Sequence, residues 1–249
     1  MGRVEGKVVV VTGGARGQGA AEAAALAAEG ATVIAADVIE PQGDLPAGVR
    51  YEHLDVTDPG SWAPLIEVLR REHGRVDGLV NNAGIRSRAR LEEVELEEVE
   101  RVLRVNLIGP LLGIQALVPL MGEGASIVNI GSTAALSGHF TPSYTTSKWG
   151  VRGLTRLASM ELGPRGIRVN VVHPGYVETE MSSDAADWWK RQHAVAAPLG
   201  RGASAEEIAP AIVFLISDES SFITGAELAV DGGFSGHAGA RMISGPLFA

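Results

Sequence analysis

A chain of 249 residues, 45% hydrophobic and 20% charged, is long enough to bury a large core and too apolar to stay disordered. Its net charge of −9 argues against a nucleic-acid surface, which needs clustered Lys and Arg, although a locally positive pocket can sit inside an acidic protein. With no cysteine, disulfides, a thiolate zinc site and a cysteine nucleophile are all excluded.

Met1–Gly6 carries no apolar signal segment, and no uninterrupted apolar run approaches the roughly 20 residues of a membrane span. A soluble, cytoplasmic chain with no membrane and no nucleic-acid partner is expected. Lys7–Thr12 is short, β-branched and continuously apolar, the pattern of a parallel strand covered on both faces. An Ala-rich helix is predicted over Gly17–Glu29, then strands over Ala31–Asp37 and Val49–Val56. A helix over Asp58–His73 and a strand over Asp77–Asn81 follow. The second half repeats the rhythm. A long helix is predicted over Glu95–Met121 and a strand over Ala125–Ile130. Next come a helix over Ser143–Leu162, a strand over Ile167–His173, a helix over Ser204–Ile216 and a last strand over Glu227–Val230. Seven strands alternating with helices predict an α/β fold, a single domain over 1–249 whose parallel sheet has helices on both faces. Two segments break the alternation. Val177–Gly200, with Trp188 and Trp189 adjacent, reads as a lid. Ser235–Ala249, with Met242, Ile243, Leu247 and Phe248, reads as an arm that packs on something, another subunit being one choice.

Thr12-Gly13-Gly14-Ala15-Arg16-Gly17-Gln18-Gly19 lies between the first strand and the first helix. Glycines there let the backbone turn tightly and approach a pyrophosphate, which the free N–H groups of the helix start can bind. Asp37 ends the second strand, where a carboxylate accepts hydrogen bonds from ribose hydroxyls and repels a 2′-phosphate. That favours NAD over NADP, although Arg16 in the glycine turn would suit the phosphate. Asp55 and Val56 are placed to flank an adenine, with a structural turn as the alternative for Asp55. Asn81-Asn82-Ala83-Gly84 ends the fourth strand, at the sheet edge where open α/β folds bind ligands.

These motifs, followed in order by Asn106, Ser132, Tyr144-Thr-Thr-Ser-Lys148, Pro174-Gly175-Tyr-Val-Glu-Thr179 and Asp231-Gly232-Gly233, resemble the short-chain dehydrogenase/reductase family across essentially the whole chain. Within it the bacterial hydroxysteroid dehydrogenases look most similar. The resemblance implies a Rossmann-like doubly wound sheet, a nicotinamide cofactor, a homotetramer and no metal in the chemistry.

Tyr144 and Lys148 are four apart on a predicted helix and so share a face. A free phenol holds its proton to a pKa of about 10, and a nearby ammonium favours the phenolate. Tyr144 is therefore the expected general acid/base, and the resemblance gives Lys148 the nicotinamide ribose as well. Ser132, just after a strand, can donate to the substrate oxygen. Asn106 precedes Pro110 by four residues. If the helix continues there, Pro110 has no N–H for the Asn106 carbonyl, which the family uses to hold a water beside Lys148; a simple proline kink is the alternative. Pro174, Gly175, Val177 and Thr179 match positions that hold the nicotinamide carboxamide in the family. Two departures stand out: Gly131 replaces a common serine, and the Ser132–Tyr144 loop is one residue shorter than in the hydroxysteroid relative.

His53, His73 and His237 read as surface or structural, His173 as a packed strand end, and His139 and His193 as candidates for the substrate mouth. Its walls are expected from Ile85–Arg86, Leu136–Phe140, Tyr176, Met181, Trp188 and Trp189. Arg86, Arg88 and Arg90 suit an anionic substrate or carrier protein, or else a solvated or interface stretch. Three functions stay open. One is a dehydrogenase of bulky, hydroxysteroid-like secondary alcohols; the second is a 3-oxoacyl-thioester reductase using NADPH; the third is an inactive dinucleotide-sensing regulator.

Overall fold

The computed structural model describes residues 2–237, 239 and 240. Seven strands pair in parallel: β1 (Val8–Thr12), β2 (Thr32–Asp37), β3 (Val49–His53), β4 (Gly78–Asn81), β5 (Ser126–Ile130), β6 (Arg168–Pro174) and β7 (Glu227–Val230). Their order is β3-β2-β1-β4-β5-β6-β7. Every position of β1 is buried because successive side chains enter opposite cores. Val8 and Val10 join Ile34, Leu79 and Ile127 on one face, and Val9 and Val11 join Val33, Val80 and Val128 on the other.

The first core is closed by α2 (Trp62–Glu72), α4 (Gly109–Leu117) and α5 (Pro142–Leu162), through Trp62, Leu65, Leu117 and Ala158. The second is closed by α1 (Gly17–Ala28) and α8 (Ala205–Ile216), through Leu26, Ile208 and Ile212. After β3 the chain returns to place β4 on the other side of β1. The strand order reverses there, opening a crevice at the carboxyl ends of β1 and β4. That crevice positions the site.

The structure departs from the sequence reading in three places. Strand β3 stops at His53 instead of Val56, because Asp55 starts a turn in which its carboxylate accepts from Thr57 N and Oγ1, both at 2.8 Å. The helix expected from Asp58 opens as a 3-10 turn over Pro59–Ser61, with Gly60 N donating to Asp58 Oδ1 at 2.9 Å. The long helix is really α3 (Leu96–Leu103), a π turn over Arg104–Ile108 and then α4. Gly109 N–H reaches back five residues, to Arg104 O, just before Pro110, which has no N–H to offer. By length and composition the stretch Leu96–Leu120 would pass for a membrane span, but in this fold it packs on the sheet and on α5.

The segment read from the sequence as a lid folds as α6 (Glu180–Ser183) and α7 (Asp187–Ala196). The arm residues Met242, Ile243, Leu247 and Phe248 lie outside the described residues.

Glu22 on α1 is fully buried. Its Oε1 accepts from Gln18 Nε2 at 2.9 Å, while Oε2 has no partner, and burial pushes its pKa up to about 8. The folded state keeps this proton where the unfolded chain, with a glutamate pKa of about 4.3, has lost it. The resulting stability is present below about pH 4 and is lost as pH rises to about 8. Glu22→Gln is expected to melt close to the parent near pH 5 and at least about 3 °C above it near pH 9. Equal melting temperatures at alkaline pH would contradict the buried acid.

Candidate active site

The glycine turn is held from both sides. On the β2 side, Gly13 N donates to Ala36 O at 2.8 Å and Ala15 N to Asp37 Oδ2 at 3.1 Å. On the β4 side, Asn82 Nδ2 donates to Thr12 O and Gly13 O at 3.0 and 3.1 Å. Thr12 Oγ1 in turn accepts from Asn82 N and Ala83 N, both at 3.1 Å. A Cβ built on Gly19 would stand 2.1 Å from Gly13 O, so the helix start is packed to the backbone of its own turn. The bare cradle, the free first N–H groups of α1 and the Asp37 carboxylate beside them suit a dinucleotide with its pyrophosphate on the turn.

Gly13, Gly17, Gly19, Asp37, Asn82 and Ala83 are thus brought together. Thr179, the N-cap of α6, stands over Gly17, with 3.8 Å between its Cβ and a Cβ built there. Arg16 turns to Glu180 of the lid at 3.1 Å, and Gln18 turns inward to Glu22. Pro174 and Gly175 end β6, where Gly175 N donates to Val230 O at 3.0 Å, and Val177 pairs with Ala203 in an isolated bridge. Val56 packs against Gly109, and the Asp55 carboxylate is spent on Thr57.

The chemistry-bearing residues converge across the crevice. Asn106 is buried in the π turn. Its Oδ1 accepts from Ile85 N at 2.8 Å, and its Nδ2 donates to Ile85 O at 2.8 Å and to Ser147 Oγ at 3.1 Å. One amide thereby joins the loop after β4 to the helix that carries Tyr144. The sequence points to a main-chain role for Asn106, and the structure adds this side-chain clamp. A Cβ on Gly84 would lie 3.5 Å from Asn106 Oδ1 and 3.7 Å from Lys148 Nζ, which places all three residues together. Lys148 Nζ donates to Ile130 O at 2.8 Å and lies 5.7 Å from the centroid of the Tyr144 ring. Burial pushes the Lys148 amine down to about 8.

Tyr144 behaves differently from the sequence expectation. Burial raises its phenol above the ordinary value, and the opposing influences are a hydrogen bond with Ser132 and the charge of Arg86. Ser132 Oγ accepts from Ala134 N at 3.1 Å, and its O–H faces the Tyr144 hydroxyl at the crevice.

His173 is packed at a strand end, as its place in the sequence predicts, and its ring also reaches Ser132, a contact that the sequence did not reveal. Fully buried at the end of β6, its Nδ1 lies 3.1 Å from Ser132 N and 3.0 Å from Ser132 O, so in either tautomer it grips the Ser132 peptide. Its Nε2 faces Glu227 Oε2 at 3.6 Å, and Glu227 also pairs with Arg152 at 2.8 Å. Burial holds the imidazole below its ordinary pKa against the pull of Glu227. A Cβ on Gly131 would come within 2.3 Å of His173 Nδ1. Glycine in place of the family's serine was therefore the available signal: the ring uses that space.

The mouth is aromatic. The His139 ring stacks on Phe140 at 4.2 Å and lies 6.2 Å from the Tyr144 ring. On α7, Trp189 meets Tyr176 at 5.4 Å and His193 at 3.9 Å, and His193 stacks on Phe234 at 5.6 Å. Trp188 faces solvent instead.

Comparison with known proteins agrees with this geometry. A family model described as enoyl-(acyl carrier protein) reductase matches residues 13–235. The 3-alpha-(or 20-beta)-hydroxysteroid dehydrogenase of Mycobacterium tuberculosis is 44% identical over 240 residues, 93% of this chain and 90% of the relative. The trans-4-hydroxycyclohexanecarboxylate dehydrogenase of Sinomonas cyclohexanicum is 43% identical over 247 residues, 93% of each chain. A solved mutant of a Serratia marcescens short-chain dehydrogenase/reductase superposes with a TM-score of 0.86 at 35% identity, covering 94% of this chain and 99% of that one. Sheet order, motif order and whole-chain identity point one way: the chain belongs to the short-chain dehydrogenase/reductase family.

Proposed function

We propose that this protein oxidises secondary alcohols borne on apolar rings, and reduces the matching ketones, with NAD preferred over NADP. The observation that carries this reading is the meeting of Ser132, Tyr144 and Lys148 beside the glycine cradle at the carboxyl edge of the sheet. When bound, the dinucleotide supplies or accepts the hydride. Ser132 donates to the substrate oxygen and so stabilises the charge that develops there. In oxidation Tyr144 takes the hydroxyl proton while the carbinol carbon loses its hydrogen as hydride; in reduction Tyr144 returns a proton to that oxygen. Lys148 anchors to Ile130 O and holds a ribose hydroxyl, and Thr179 and Val177 hold the carboxamide end.

Ring-bearing substrates fit the aromatic mouth and the names of the hydroxysteroid and hydroxycyclohexanecarboxylate relatives. NAD fits Asp37, whose carboxylate beside the glycine turn would meet a 2′-phosphate as a like charge, while Arg16 is engaged by Glu180. A homotetramer fits the outward face of α5, where Trp149, Leu157 and Met160 are exposed apolar side chains on one side of the helix.

The test is a panel of cyclic secondary alcohols, a hydroxysteroid and a 3-oxoacyl thioester, each run with both dinucleotides. Turnover of the cyclic alcohols is expected, with kcat/KM at least about tenfold higher for NAD. The reverse cofactor order would take Asp37 out of this role. Thioester reduction with NADPH as the dominant activity would replace the reading. Dinucleotide binding without any turnover would leave a regulator.

A further inference from the structure

The loop that leaves β4 carries three arginines, and its position is set by the catalytic framework. Ile85 is clamped through both its N–H and its C=O by the side chain of Asn106. Arg86 and Arg88 then converge on a single carboxylate, Asp184, which ends α6 in the lid. Arg90 lies 5.3 Å over the Phe140 ring, part of the aromatic wall beside Tyr144. Glu98 sits behind the loop on Ser87 and, among the described residues, forms no ion pair with an arginine. Two guanidiniums sharing one carboxylate leave one positive charge unspent at the mouth of a protein whose net charge is −9. A neutral ring alcohol would have no use for that charge. A carboxylate would, since the guanidinium fork matches it in shape as well as in sign.

The two arginines are not equivalent. The Arg86 side chain is 30% exposed and Arg88 56%, so Arg86 is the more enclosed of the pair. The Arg86 charge also reaches the Tyr144 hydroxyl, where it favours the phenolate. Asp184, 59% exposed, holds both arginines from the solvent side. Pairs as open as this are weak, so an incoming carboxylate can displace one of them.

Resting on the assignment of Tyr144 as the acid/base, we propose that Arg86 is a carboxylate-binding residue and that the substrate is a cyclic hydroxy or oxo acid. Its acid group takes Arg86 while its carbinol lies at Tyr144, and Arg88 keeps Asp184 and the lid. In oxidation the carbinol C–H bond breaks with its electron pair going to the nicotinamide, the hydroxyl proton goes to Tyr144, and the carboxylate is unchanged.

Two measurements on the dinucleotide-loaded protein test this. First, 4-hydroxycyclohexanecarboxylate is compared with its methyl ester. The acid is expected to have the higher kcat/KM by at least about tenfold, mainly through KM. Arg86→Gln should collapse that ratio toward one, Arg88→Gln should retain most of it, and Asp184→Asn should lower KM for the acid by removing a competing carboxylate. A merely structural latch would give the opposite sign for Asp184→Asn. Second, cyclohexanecarboxylate, which has no hydroxyl to oxidise, is titrated by calorimetry. It should bind the parent and bind Arg86→Gln at least about tenfold more weakly. Equal use of acid and ester by the parent, or equal calorimetric affinity in Arg86→Gln, overturns the proposal. Because calorimetry needs no catalysis, it decides the acid site even if no alcohol is turned over, in which case the assignment of Tyr144 fails separately.

Discussion

Tyr144→Phe is expected to lower kcat by at least about 10³-fold in both directions while leaving dinucleotide affinity within about threefold. The substitution removes one oxygen and keeps the ring beside His139 and under Lys148, so packing and the glycine cradle are untouched. What disappears is the group that exchanges the substrate proton. Because burial holds this phenol above its ordinary pKa, the proposed acid/base would stand protonated near neutrality, the form that ketone reduction needs. Alcohol oxidation needs the phenolate instead. Its kcat/KM in the parent should therefore climb with pH across the alkaline range, while ketone reduction should stay flat up to about pH 10. Steady-state kinetics from about pH 6 to about pH 10, beside dinucleotide titrations, check both limbs. A variant that retains near-parental rates, or parental oxidation that falls as pH rises, would move the acid/base role off Tyr144.

Local pattern carried most of the fold. β1 was legible because four valines in a row suit a strand covered twice, and each of them proves buried in one of two opposite cores. The cradle was legible because glycines, a strand end and a helix start stand next to one another in the chain. Contacts made across the fold were not. The grip of His173 on Ser132 depends on β5 and β6 lying side by side, with Ile130 opposite Val172, and no local periodicity encodes that pairing. Arg86 and Asp184 are 98 positions apart, and the lid that joins them interrupts the strand–helix rhythm. The paired tryptophans part for a simpler reason. Neighbours on a helix point about 100° apart, so Trp189 enters the aromatic cluster while Trp188 faces water. The π turn at Asn106 needed both Pro110 and the destination of the Gly109 N–H, and only the first is written in the sequence.

Gly19→Ala should weaken dinucleotide binding by at least about 100-fold, equivalent to about 3 kcal/mol, whereas Gly17→Ala should cost far less. The contrast follows from what each new methyl would meet. At Gly19 it would fall 2.1 Å from Gly13 O and 2.4 Å from Asn82 Nδ2. The first is backbone and cannot swing aside, and the second is the amide that ties β4 to the turn. Relief requires α1 to slide away from the turn, and that carries its first N–H groups away from the place where a pyrophosphate would sit. At Gly17 the closest neighbour is Thr179 Cβ at 3.8 Å, an ordinary contact. The penalty there is the left-handed backbone, φ +54, which costs a residue with a side chain about 1–2 kcal/mol. Part of that cost is lost fold stability and not lost binding. Calorimetric titration of both variants with NAD, alongside their melting curves, separates the two mechanisms. Similar losses of affinity at the two positions would mean that the turn is shaped by backbone conformation and not by the contact between Gly13 and Gly19.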